Sequence, residues 1–68
     1  MFNSNEFNSA IARKGSTQKE AAHVMGINPA TLFRKMNGSS DFYRKEIEAF
    51  CQFYEVKPDV IFFADHSA

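Results

Sequence analysis

Residues 17–38 read TQKEAAHVMGINPATLFRKMNG, and this stretch decides the fold because it predicts two short helices joined by a tight turn. Thr17 and Glu20 have the spacing of a capping box, in which each side chain accepts a hydrogen bond from the other residue's backbone N–H. Gly26 is suited to end the first helix because glycine adopts a positive φ at little cost. Asn28 then suits the N-cap of the second helix.

The apolar residues of this stretch predict which face of each helix is buried. Ala21, Ala22 and Met25 form one stripe on the first helix, and Leu32 and Met36 lie four residues apart on the second. Two helices of about eight residues joined by a short glycine-containing turn form a helix-turn-helix unit.

The same signals predict an all-α fold for the rest of the chain. Ser4 is expected to cap a first helix, and the apolar run 60–63 is expected to fold back onto the core. A chain of 68 residues is too short for a second core, so 1–68 is predicted to be a single domain. We predict five helices and no strand, with the helices at 4–14, 17–25, 28–37, 42–54 and 58–63.

Charge is unevenly distributed along the chain. The net charge is zero, but residues 13–45 contain seven Lys and Arg residues against two carboxylates, and the remainder is acidic. This polarity favours an anionic partner for the helix-turn-helix region. The alternative is that these are ordinary solvated surface charges.

Composition argues against several other classes of protein. A single cysteine, Cys51, cannot form an internal disulfide, and its position on an apolar helical face predicts a buried, inert thiol. With only His23 and His66 as histidines, the sequence has no metal-ligand cluster and no nucleophile constellation, so we expect neither an enzyme nor a cofactor. No apolar run approaches the length of a membrane span and no signal peptide is evident, so we expect a cytoplasmic protein.

The motif resembles the Cro and repressor-type (lambda repressor-like) helix-turn-helix family of bacteria and their phages. The resemblance extends over nearly the whole chain. An NG pair at residues 37–38 also matches, and residues 53–63, FYEVKPDVIFF, resemble the segment that ends the family's fourth helix and forms its short fifth, with Val56, Ile61 and Phe62 as expected core anchors. The spacing that carries the resemblance is that of Gln18, Ala22, Gly26, Ile27 and Leu32.

The resemblance implies a compact five-helix DNA-binding domain whose helices 2 and 3 form the motif, with the second motif helix in the major groove. Family members usually carry polar residues where this chain has Pro29, Ala30 and Phe33. Residues expected to contact bases, or a partner protein, are Asn28, Pro29, Ala30, Phe33 and Arg34. Residues expected to contact phosphates are Gln18, Lys19, Lys35, Asn37, Ser39 and Arg44.

Two functions follow from the resemblance. One is a small phage-type or bacterial transcriptional regulator that binds double-stranded operator DNA, as a homodimer formed through the fifth helix, the tail or Phe2. The other is an anti-repressor that uses the same fold to bind a partner repressor and block its DNA surface. The sequence leaves the placement of two side chains undecided. Phe33 either packs against the first motif helix or is exposed, and Asn28 contacts a base, a phosphate or its own backbone as a cap.

Overall fold

A computed structural model describes residues 2–63 of the chain and confirms an all-helical fold. Its five helices, with no strand among the described residues, are α1 Ser4–Arg13, α2 Gln18–Met25, α3 Pro29–Met36, α4 Arg44–Tyr54 and α5 Pro58–Ile61. The Cα radius of gyration is 11.0 Å, close to the value of about 11 Å expected for a compact chain of this length. None of the helices among residues 2–63 is long and apolar enough to cross a membrane.

Local capping signals set the limits of α2 and α3 as the sequence predicts. The backbone N–H of Glu20 donates to Thr17 Oγ1 over 3.1 Å, and the backbone N–H of Thr17 donates to Glu20 Oε1 over 3.2 Å, which completes the capping box. Gly26 ends α2 in the left-handed conformation at φ 77°. Asn28 caps α3, with its Oδ1 accepting from the backbone N–H of Thr31 over 2.7 Å.

The starts of α1 and α4 differ from the predictions. Asn3, not Ser4, caps α1, because Asn3 Oδ1 accepts from the backbone N–H of Glu6 over 3.1 Å. Helix α4 begins at Arg44 instead of residue 42, and the backbone N–H of Tyr43 donates to Glu46 Oε1 over 2.8 Å at its start.

Phe42 lies outside α4 because its ring belongs to an aromatic core. The rings of Phe42 and Phe2 stack with their centroids 4.9 Å apart, and Phe42 meets the edge of Phe62 at 5.0 Å. Beneath them, Phe7 of α1 and Phe50 of α4 are fully buried and stack at 4.5 Å. Aromatic contacts therefore join both ends of the described chain to α1 and α4.

The predicted burial of the apolar run 60–63 is confirmed for two of its four residues. Ile61 and Phe62 are buried, but Val60 is 48% exposed and Phe63 is 58% exposed, because a single turn of helix directs only one side to the core. Val56 is partly buried against the same core. A homodimer formed through the fifth helix or Phe2 stays a prediction, and the predicted contact through the tail lies outside the described residues.

Residue 55, which follows α4, is a non-glycine residue in the left-handed region. Glu55 has φ 58° and ψ 51°, and its carboxylate forms an exposed ion pair with Lys14 at 3.2 Å. A side chain costs about 1–2 kcal/mol in this conformation, whereas an exposed ion pair contributes little. We expect Glu55→Gly to raise the free energy of unfolding by about 0.5–1 kcal/mol in urea titrations. Glu55→Ala is the control, since it removes the pair without relieving the backbone; an equal gain from both variants would contradict this explanation.

Candidate nucleic-acid interface

Helix α3 is anchored by one face and exposed on the other. Leu32 and Lys35 are buried and Met36 is half-buried, so these three side chains attach the helix to the rest of the protein. Helix α2 packs against both α3 and α4. All five side chains that the sequence assigns to base or partner contacts are exposed: Asn28, Pro29, Ala30, Phe33 and Arg34.

The structure answers both open questions about these side chains. Phe33 is 63% exposed, so it does not pack against α2 as a core residue. Asn28 uses its side-chain oxygen as the α3 cap, and its two Nδ2 hydrogens make no hydrogen bond to another described residue. The outer face of α3 is therefore more apolar than a base-reading surface usually is.

Arg34 is the strongest polar group on this face. Its Nη2 lies 3.4 Å from Thr31 Oγ1, one turn earlier, and no carboxylate among residues 2–63 pairs with it. A guanidinium has five N–H donors, so a single long contact leaves the group free to bind two acceptors at once.

Five of the six predicted phosphate-contact residues are exposed. Gln18 donates from Nε2 to Asn8 Oδ1 over 2.8 Å, and Arg44 donates from Nε to Glu48 Oε2 over 3.0 Å. The exposed set comprises Gln18, Lys19, Asn37, Ser39 and Arg44.

Lys35 is the exception, and its predicted phosphate contact is wrong. The residue is only 5% exposed. Its Nζ lies 3.1 Å from Glu46 Oε1, donates to the backbone oxygen of Asp41 over 2.8 Å, and stands 4.0 Å from the centroid of the Tyr43 ring. These contacts lie within the protein, so Lys35 holds the segment between α3 and α4 instead of facing solvent.

The fold also reduces the charge polarity seen in the sequence. Three cations of residues 13–45 pair with carboxylates of α4 or its C-cap, in the pairs Lys14–Glu55, Lys35–Glu46 and Arg44–Glu48. The cations of that region without an ion pair to another described residue are Arg13, Lys19, Arg34 and Lys45. The positive surface that remains is therefore modest.

Tyr43 and Phe53 are two exposed aromatic side chains that the sequence analysis did not assign to a surface. Tyr43 is 68% exposed and Phe53 is 53% exposed. Phe53 lies three residues from Phe50 but outside the core. Its ring makes an edge-to-face contact with the ring of Tyr54, and the two centroids are 4.9 Å apart. Val24 and His23 of α2 line a surface depression together with Phe53.

Cys51 and His23 are the cysteine and the histidine among residues 2–63. No group of three His, Cys, Asp or Glu side chains within residues 2–63 is placed to hold a metal ion. Cys51 is half-buried, not fully buried as predicted, and partial burial raises the pKa of its thiol, which keeps it protonated and poorly nucleophilic. His23 is exposed, and His66 lies outside the described residues.

Comparison of the chain with protein-family models, with characterised proteins and with solved structures finds no match.

Proposed function

We propose that the protein binds double-stranded DNA as a small, lambda repressor-like transcriptional regulator, with α2 and α3 as its helix-turn-helix. The observation that carries the proposal is the two-sided character of α3. Leu32 and Lys35 fix its inner face, while Arg34 is exposed on its outer face without a carboxylate partner among residues 2–63. A short helix held in this way presents a fixed row of side chains to a groove.

Each exposed residue of α3 has a role that its chemistry allows. Arg34 donates to the O6 and N7 acceptors of guanine, while Ala30 and Phe33 make apolar contacts such as those with a thymine methyl group. Pro29 contributes shape, and the free Nδ2 of Asn28 reaches a phosphate or base edge. The exposed polar residues Gln18, Lys19, Asn37, Ser39 and Arg44 contact phosphates, which sets the register of the helix in the groove.

Replacement of Arg34 tests this assignment. We expect Arg34→Ala to weaken binding to a duplex selected from a random pool by about 1–3 kcal/mol and to relax the preference for guanine at one position. Fluorescence anisotropy with the selected duplex and single-base variants measures both effects. Arg13→Ala, an exposed arginine on α1, is the matched control. Equal losses for the two variants, with no change in base preference, would count against base contact by Arg34.

The salt dependence of binding measures how many phosphates the protein neutralises. Lys19 and Arg44 are the exposed cations among the proposed phosphate contacts, which predicts a slope of log K against log salt concentration of about −2. Lys19→Ala should make this slope shallower by about one. A slope near zero at low salt concentration would contradict DNA binding.

The exposure of Phe33 favours a second candidate, an anti-repressor that binds a partner regulator. A 63% exposed phenylalanine beside an arginine is the kind of anchor found at protein interfaces. Co-purification with any regulator that is encoded next to this chain, with and without Phe33→Ala, tests it. Retention of the partner by the wild type and its loss from the variant supports the anti-repressor; salt-dependent DNA binding with no partner retained excludes it.

A further inference from the structure

We infer that Asn8 of α1 is a positioning residue that holds the amide of Gln18 for contact with a DNA phosphate. The inference rests on the proposed DNA binding and adds α1 to the surface that carries it. Gln18 Nε2 donates to Asn8 Oδ1 over 2.8 Å, and both residues are exposed.

The hydrogen bond settles the direction of the Gln18 amide. A glutamine side chain has two N–H donors on one nitrogen and an acceptor oxygen, and a free side chain rotates between them. Asn8 contributes only its oxygen to the contact, so it fixes the nitrogen end of Gln18 towards α1 and occupies one of the two hydrogens. The second Nε2 hydrogen is left to donate to a phosphate oxygen.

Pre-organisation of the Gln18 side chain is expected to have a measurable effect on the affinity for DNA. Ordering a flexible side chain at an interface costs enough to change affinity by a few-fold to about tenfold, and a side chain already held in the free protein avoids that loss. The bond joins residues 10 apart in sequence, so it links the Gln18 side chain at the start of α2 to a side chain of α1.

The experiment is a double-mutant cycle on wild-type, Asn8→Ala, Gln18→Ala and the double variant, with random-sequence duplex DNA across a salt series. We expect Asn8→Ala to weaken binding about three- to tenfold without changing the salt slope, because no charge is removed. In the Gln18→Ala background, Asn8→Ala should change affinity less than about 1.5-fold, because the residue it positions is gone. Asn5→Ala is the matched control: the same residue type, exposed on the same helix, with no side-chain hydrogen bond to another described residue.

The possible results are separable. An Asn8→Ala effect no larger than that of Asn5→Ala, or an equal loss in the presence and absence of Gln18, overturns the positioning role and leaves the proposed DNA binding intact. A change in salt slope in Asn8→Ala would mean that α2 has moved and that Lys19 has lost its contact, which also overturns the role. Wild-type protein without salt-dependent binding overturns both proposals.

Discussion

Replacement of Glu46 by alanine is expected to reduce the free energy of unfolding by about 3–5 kcal/mol. Glu46 and Lys35 are 7% and 5% exposed, and their charged atoms lie 3.1 Å apart. Without the carboxylate, the Lys35 ammonium group stays buried with its charge uncompensated, which is the costly half of a broken buried ion pair. The same carboxylate also accepts from the backbone N–H of Tyr43 at the start of α4, so that interaction is lost as well.

Chemical denaturation with two comparison variants isolates this effect. Glu48→Ala removes a carboxylate of the same helix, one that forms an exposed ion pair with Arg44. We expect it to change the free energy of unfolding by no more than about 0.5 kcal/mol. Lys35→Met combined with Glu46→Leu removes both charges and should recover most of the loss, because apolar side chains of similar size often replace a buried pair without cost. A loss in Glu46→Ala no larger than in Glu48→Ala would contradict the buried position of the pair.

The buried pair also shows where sequence reasoning stops. Leu32, Lys35 and Met36 lie at helical spacings of three and four, so the period places Lys35 on the inner face of α3. Lysine is rarely buried without a partner, and the partners here come from Asp41 and Glu46, beyond the end of the helix. The helical period therefore predicts that Lys35 is buried. The groups that neutralise the buried ammonium are brought to it only by the tertiary fold.

The local features of α2 and α3 are predicted correctly, whereas the Ser4 cap of α1 and the start of α4 are not. The capping box of α2, the left-handed Gly26 and the Asn28 cap are each completed within a few residues, and all three are present. The start of α4 was misplaced because the Phe42 ring packs against Phe2, forty residues earlier in the chain. The proposed ligand of α3 lies further outside the reach of such signals, because its identity depends on the surface of a second molecule.

Leu32 and Phe33 are neighbours in sequence, and the fold predicts opposite outcomes for their replacement by alanine. Leu32 is 2% exposed and Phe33 is 63% exposed. We expect Leu32→Ala to destabilise the protein by about 2–5 kcal/mol, through lost burial and the cavity left behind, and Phe33→Ala to change stability by less than about 0.5 kcal/mol. Thermal and urea unfolding followed by circular dichroism give both values.

The two replacements are expected to differ in the opposite way in their direct effect on binding. Phe33→Ala should leave a folded protein whose binding to DNA or to a partner is altered, because the removed ring belongs to the exposed face of α3 and not to the core. Leu32→Ala should lose binding only in proportion to the unfolded fraction, so stabilising conditions or higher DNA concentration should restore it. A severe loss of stability in Phe33→Ala would place its ring in the core and remove the argument for an apolar contact surface on α3.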